Sequence, residues 1–367
     1  MKKIGLILLI GIIMIIGSAQ KSIEKQTVST IYIPLADHYP GIIAYEKYRS
    51  QMKYANYQLE MIPGPELIRA RFWEDDIDIA FNVCPMAMDM FAENPNFRWI
   101  SLIHRDGNAL AINEILNNYV NLPEDRLKRK PDEKVANAFV AANNKIGHPT
   151  ECGIPSLLAT HTVVLYKYLK DNGKTLAYRS GDDCDLFLTK VRPPKSPSFI
   201  VRNNTKGIPS SFEQSLPWAE VVETEGYGYV AWYSKDVMKW PLGHVECIIL
   251  AKDKSISDKR KAIEEVIYYI HKAGQDIESA RRNGGNEMDD IVKMIRKHIP
   301  AHTKDAIIQS LRIDLNIINY KNLNVNENSK NSLKQIMDLA VEAGFLKKTI
   351  DIEAFANENF STEITEE

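Results

Sequence analysis

The stretch Ile31-Tyr-Ile-Pro-Leu-Ala-Asp-His-Tyr-Pro-Gly-Ile-Ile-Ala-Tyr-Glu-Lys-Tyr48 decides how the rest of the chain is read. Residues 29–33 form an apolar strand, 36–39 a short polar loop, and an amphipathic helix opens at Pro40. Proline suits a first helical turn because that turn has no intrahelical partner for its N–H to lose. Such a helix start turns free N–H groups and the positive end of its dipole toward whatever lies above the loop. In an α/β sheet that place is the carboxyl end of the strands, where ligands bind. The loop therefore reads as the first wall of a small-molecule cleft.

The same order recurs downstream. Residues 57–62 read as a strand broken by Pro63-Gly64-Pro65, ahead of a helix over 66–73. Residues 76–81 (Asp-Ile-Asp-Ile-Ala-Phe) read as a strand, 82–85 as a loop and 86–92 as a helix, with Met86, Met88 and Met90 filling core and cleft wall. Repeated strand–loop–helix units indicate a sheet of mostly parallel strands. Strands follow over 97–104 and 109–114, then a charged helical stretch over 119–142. A second series reads as a strand over 145–148, a Gly- and Pro-bearing loop over 149–155, and a helix over 161–171 capped by Thr160. Next come a strand over 175–179, a helix over 182–191, a strand over 198–201, helix over 210–221, and strands over 227–233 and 245–251. Helices over 258–282, 287–298, 303–311, 332–343 and 350–355 lead to an acidic tail. This predicts one α/β lobe from residues 28–115 plus 240–320, interrupted by a second over 140–235, with 321–367 as C-terminal helices and tail. Two crossings between the lobes make a hinge.

Lys2 and Lys3 precede an uncharged run from Ile4 to Gln20, 17 residues against the roughly 20 a membrane span needs. With Gly17-Ser18-Ala19 this reads as a signal peptide over 1–19, cut after Ala19, which places the mature protein in a periplasm; the plainer alternative is an uncleaved N-terminal anchor. The cut removes two lysines and no acid, taking the formal charge from −2 to −4. A mildly acidic protein is a poor nucleic-acid binder, so no nucleic-acid partner is expected. The basic cluster over 126–130 lies among acids and reads as a solvated helix face. Cys84, Cys152, Cys184 and Cys247 show no paired spacing, and no disulfide framework is expected.

Several segments resemble the substrate-binding proteins of ABC importers for nitrate, bicarbonate, aliphatic sulfonates and thiamine-precursor pyrimidines. They are Pro34-Leu-Ala-Asp-His-Tyr-Pro40, Glu66-Leu-Ile-Arg69, Asp78-Ile-Ala-Phe-Asn-Val-Cys-Pro-Met86, Thr160-His161 with Leu165-Tyr-Lys-Tyr-Leu169, Leu216-Pro-Trp218 and Met337-Asp-Leu-Ala-Val-Glu-Ala-Gly-Phe-Leu346. The nitrate/bicarbonate branch is the most similar. The resemblance implies a two-lobed periplasmic-binding-protein fold (type II), with hinged lobes and a helical C-terminal region. It also implies capture of a small solute, an oxyanion or small organic anion, and delivery to an ABC permease in the inner membrane, without chemistry on the solute. It places His161 on an oxyanion-contacting histidine and Asn108 on an amide position. Pro65 stands where that branch has a tryptophan, and Lys239 is nearest to its anion-binding lysine.

The candidate ligand-binding residues are Asp37, His38, Tyr39, Asn82, Cys84, Asn108, Thr160, His161, Trp218 and His244. Amides both donate and accept, which suits Asn82 and Asn108 to an oxygenated ligand. Tyr39 and Trp218 could stack on a flat heterocycle such as a pyrimidine, the alternative solute. Each candidate has a plainer reading: Asp37 as a helix cap, His38 as a loop histidine, the aromatics as core, and His244 as structural beside Glu246 and Cys247. A metal-binding protein using His38, Cys84, His161 and His244 is a further alternative, although nothing in their spacing demands it. No G-x-S-x-G or H-E-x-x-H motif is present, so an enzyme is not expected. No cofactor and no resident metal are expected, and a monomer is.

Overall fold

A computed structural model describes residues 24–362. The signal-peptide reading over 1–19 lies outside the described residues. The strands in chain order are β1 (Gln26–Tyr32), β2 (Ala55–Met61), β3 (Ile79–Val83), β4 (Phe97–Leu102), β5 (Arg105–Asp106), β6 (Asn108–Asn113), β7 (Thr150–Ile154), β8 (Leu176–Ala177), β9 (Leu186–Lys190), β10 (Ser210–Ser215), β11 (Gly228–Tyr233), β12 (Cys247–Lys252) and β13 (Ile318–Asn319). Two sheets build two lobes. The first runs β2-β1-β3-β12-β4 and the second β11-β6-β10-β7-β9-β8. In the first, β1 pairs in parallel with β2 and β3, while the late strand β12 inserts antiparallel between β3 and β4. In the second, β7 pairs in parallel with β9 and β10, and β6 runs antiparallel between β10 and β11.

Sequence explains this order. β3 (Ile-Ala-Phe-Asn-Val) is buried along its whole length, as a central strand covered on both faces must be. Its neighbour β12 (Cys-Ile-Ile-Leu-Ala-Lys) is buried at every position but the last. The long helix Asp253–Asn283 then covers the sheet with Ile263, Val266, Ile267 and Ile270 fully buried. Met86, Met88 and Met90 are buried core.

The chain crosses between the lobes twice, before β6 and after the helix Ser234–Met238, and the two crossings lie side by side. Asp106 N–H donates to the His244 carbonyl at 3.0 Å, and His244 N–H donates to Asp106 Oδ1 at 2.9 Å. Asp106 and Gly107 both adopt positive φ here, as does Gly243, where an added Cβ would stand 2.5 Å from Asp106 Oδ2. The C-terminal helix Glu327–Glu342 spans the outside: Tyr166 OH of the second lobe donates to its Glu342 at 2.8 Å, and Ser332 Oγ receives Val245 N–H at 3.0 Å.

Several expectations need correction. The strand over 109–114, expected within the first-lobe segment 28–115, is β6 and pairs inside the second sheet. Residues 145–148 end the helix Glu133–Ile146, and the expected loop 149–155 contains β7. Residues 182–191 contain β9, where buried Leu186 and Leu188 alternate with half-buried neighbours at period two. Residues 198–201 lie in the helix Ser196–Thr205, with Pro197 in its first turn. The expected helix over 210–221 is β10 followed by the helix Trp218–Thr224. The basic cluster is solvated only in part: Lys128 and Lys130 are exposed, whereas Arg126 and Arg129 pair with Glu220 and Glu223 inside the second lobe. The opening helix is only Tyr39–Ile43 before it widens into a π-turn, so it carries little dipole.

Candidate functional site

Turns at the facing edges of the two sheets bring a polar cluster together, sealed from solvent. From the first lobe come Asp37, in the turn after β1, His104, in the crossing after β4, and Glu246-Cys247, where β12 begins. From the second come Asn108 at the start of β6, Glu213 and Ser215 on β10, and Thr160-His161 opening the helix Thr160–Asp171. Antiparallel pairing sets Ser215 opposite Asn108, so both reach the same edge. All are fully buried.

Hydrogen bonds stitch the lobes across this point. Ser215 Oγ donates to Asp37 Oδ2 at 2.7 Å, and His161 Nε2 lies 2.7 Å from the same hydroxyl. Cys84 Sγ meets Thr160 Oγ1 at 3.5 Å. Around them Trp218 Nε1–H donates to the Pro34 carbonyl at 2.9 Å, and Ala36 N–H to the Leu216 carbonyl at 2.6 Å. His104 Nε2 lies 2.9 Å from Glu246 Oε2 and 3.6 Å from Asp37 Oδ2.

What distinguishes the cluster is what it lacks. Asp37 Oδ1, Glu246 Oε1, both Glu213 carboxylate oxygens, His104 Nδ1, His161 Nδ1 and both Asn108 amide atoms are buried without a hydrogen-bond partner. Buried polar groups are ordinarily paired, because leaving one unpaired costs about 1–3 kcal/mol. Among the described residues no lysine or arginine pairs with Asp37, Glu213 or Glu246. Burial consequently pushes the carboxyls of Asp37 and Glu213 well above the usual range, and Glu246 to about 7. Burial also lowers His104, and takes His161 down to about 3. The Cys247 thiol is held well up by burial and then by the neighbouring carboxyls.

Of the sequence candidates, Asp37, Cys84, Asn108, Thr160 and His161 meet here. The others do not. His38 uses Nδ1 on the Ile33 backbone and packs against Phe81. Tyr39 OH meets His302 Nδ1 at 3.0 Å, and the His302 ring packs edge-on to Trp218. Asn82 Oδ1 accepts its neighbour's N–H from Val83, and His244 is tied to Ser234 Oγ and the Val245 carbonyl. These four, with Trp218, fix the walls. Lys239 is exposed at the end of a short helix, outside the cluster. Sequence reasoning missed His104, Glu213, Ser215, Glu246 and Cys247. The available signal was a charged residue inside or at the end of an otherwise apolar strand, as in His-Val-Glu-Cys-Ile-Ile-Leu over 244–250.

Two hinged α/β lobes closing on a shared polar cluster define the solute-binding-protein class of folds. The NMT1-like family pattern matches residues 21–291, and the chain belongs to that family. A comparison with curated protein sequences finds no match. The periplasmic nitrate-binding protein NrtA from Synechocystis PCC 6803 superposes with a TM-score of 0.72 at 16% identity, covering 92% of this chain and 87% of that one. The zinc-bound ligand-binding component of an ABC-type import system from Staphylococcus aureus gives 0.67 at 16%, covering 94% and 100%. The alkanesulfonate-binding protein SsuA from Xanthomonas axonopodis pv. citri, bound to MOPS, gives 0.65 at 9%, covering 90% and 98%. The fold is thus the periplasmic-binding-protein fold. No helix among the described residues is long and apolar enough to cross a membrane.

Proposed function

We propose that this chain is an extracytoplasmic solute-binding protein that captures one small solute between its lobes and presents the closed form to an ABC permease. The observation that carries this reading is the set of unpartnered buried polar atoms contributed by both lobes. A protein maintains such a set where an incoming ligand satisfies it. Closure follows only from a solute that binds the closed form better than the open one, and groups divided between lobes supply that difference.

The charge at this place speaks against the expected oxyanion. Asp37, Glu213 and Glu246 would face it, no arginine or lysine would offset them, and the first helix is too short to act as an anion site. The solute favoured here carries positive charge or donates hydrogen bonds. The staphylococcal neighbour with zinc bound is compatible with that class. A thermal-shift panel of nitrate, bicarbonate, an alkanesulfonate, aminopyrimidines, polyamines and divalent cations tests the reading. A solute present at 100 times its dissociation constant stabilises by about 2.7 kcal/mol. Stabilisation by nitrate or sulfonate would sink the charge argument, and stabilisation by none would sink solute capture.

A further inference from the structure

Two lone pairs face each other across the closed cleft. With Asp37 ionised, as a metal ligand must be, Ser215 Oγ gives its one proton to Asp37 Oδ2, and the His161 Nε2 bound to that hydroxyl is the protonated nitrogen of its ring. His161 Nδ1 is then a bare acceptor. It lies 3.5 Å from Glu246 Oε1, and neither atom has a hydrogen-bond partner. Two acceptors buried face to face are unfavourable unless a proton on Glu246 or a bound cation lies between them. Nitrogen and oxygen ligands each about 2.0–2.2 Å from a tetrahedral metal stand somewhat over 3 Å apart, which is the width of this gap.

The neighbouring groups extend the pattern. Asp37 Oδ2 is 3.6 Å from His104 Nε2 and 3.6 Å from Cys247 Sγ. One ligand atom each from Asp37, His104, Glu246 and Cys247 lie within 4.8 Å of one another, all buried. The donor set mixes oxygen, nitrogen and sulfur. Magnesium and calcium want oxygen alone, and copper(I) wants soft sulfur, whereas zinc accepts all three.

Building on solute capture as read above, we propose that the solute of this cleft is a divalent first-row transition-metal ion, zinc foremost. It is held by Asp37, His104, Glu246 and Cys247 of the first lobe and closed in by His161 of the second. As the metal–sulfur bond forms, the Cys247 thiol releases its proton to solvent. Ser215 stands one shell out, orienting Asp37 and fixing the His161 tautomer. The ion meets the first lobe before closure and His161 only after it, which gives the closed form its extra affinity.

The test strips the mature protein with a chelator and titrates zinc chloride by calorimetry and thermal melting. One equivalent binds and the melting temperature rises. Asp37→Asn and Glu246→Gln each weaken zinc by more than about 100-fold, and Ser215→Ala by about 10-fold, as an outer-shell partner should. Each carboxylate variant removes a buried acid that no lysine or arginine offsets and keeps an oxygen to accept from Ser215 or meet His104, so the melting temperature of the stripped protein holds or rises and lost binding is not lost folding. In cobalt(II)-loaded protein, Cys247→Ser removes the thiolate-to-metal absorption band. Absence of saturable zinc uptake overturns the proposal, as does unchanged affinity in both carboxylate variants. The same stripped protein is also screened with aminopyrimidines and polyamines. A response to one of these without a response to zinc overturns the metal and leaves solute capture standing, while a response to none overturns both.

Discussion

The second lobe holds a pair of acids of its own, Glu220 buried and Glu223 half-buried, and comparison with the cleft is instructive. Glu220 receives Tyr233 OH at 2.9 Å and a guanidinium N–H of Arg126. Glu223 receives Arg126 Nε at 3.2 Å, Arg129 Nη1 at 2.7 Å and the Val230 N–H at 2.7 Å. Every oxygen of both carboxylates has a partner, and two arginines match two acids. In the cleft, three acids have no matching cation. The same chain therefore neutralises buried acids fully where they serve architecture and leaves them open where the lobes meet. Internal charge compensation separates a structural cluster from a receptive one.

Four experiments sharpen or break that contrast. The largest effect belongs to the compensated cluster: Arg129→Met takes one of two arginines from Glu223 and the guanidinium donors from the Pro123, Glu124 and Val230 carbonyls, and costs about 3–5 kcal/mol in urea denaturation. A cost under about 1 kcal/mol would mean the pairs are not structural. The cleft answers with the opposite sign. Glu213→Gln stabilises the ligand-free protein at pH 8 by about 1–3 kcal/mol, because the wild-type carboxyl either ionises without a partner or holds an unfavourable proton there. Its folded pKa is raised, so its cost grows as pH rises from the unfolded value, and the advantage of the variant must widen from pH 5 to pH 8. A constant difference would rule that cause out.

A partnered histidine supplies the control. His271 Nε2 meets Ser101 Oγ at 2.7 Å and its other nitrogen meets Thr362, while burial lowers its pKa to about 4. A depressed histidine gives stability that is present above the unfolded pKa and is lost as pH falls toward the folded one. The drop it contributes from pH 7 to pH 5 is about 2 kcal/mol. His271→Gln should flatten the stability profile over that window by this amount, and an unchanged slope would place the titration elsewhere. The smallest effect is on closure. Trp218→Phe removes the donor to the Pro34 carbonyl, shifting the ligand-free lobes toward the open form by about 1 kcal/mol. Small-angle scattering would read that as a larger radius of gyration, and an unaltered curve would remove Trp218 from the latch.

Much of the first lobe was legible because its strands are bounded by Pro and Gly and its helices keep one period. The strands around 57–62 and 245–251 and the helix around 258–282 fall close to their observed places. The second lobe was harder. β9 (Leu-Phe-Leu-Thr-Lys) is short and follows the acidic run Asp182-Asp-Cys-Asp185, which reads as a helix start, while β10 (Ser-Ser-Phe-Glu-Gln-Ser) carries one apolar residue and is buried only because neighbouring strands cover it. The site divided the same way. Residues in loops with a helix behind them, such as Asp37 and His161, could be found from local pattern. Glu213, Glu246 and Cys247 could not, since their meaning lies in what faces them across a gap between distant segments. Arg126 and Arg129 were misread for the same reason: their partners lie about ninety residues away.

All four cysteines are buried free thiols. Cys84 and Cys247 lie against the cleft, whereas Cys152 sits in the middle of the second sheet. An alkylating reagent can reach the first two only while the lobes stand apart, and the third only through unfolding. The chain thus carries its own clock: labelling kinetics at Cys84 and Cys247, timed against Cys152, count how often the door opens and how long an occupant keeps it shut.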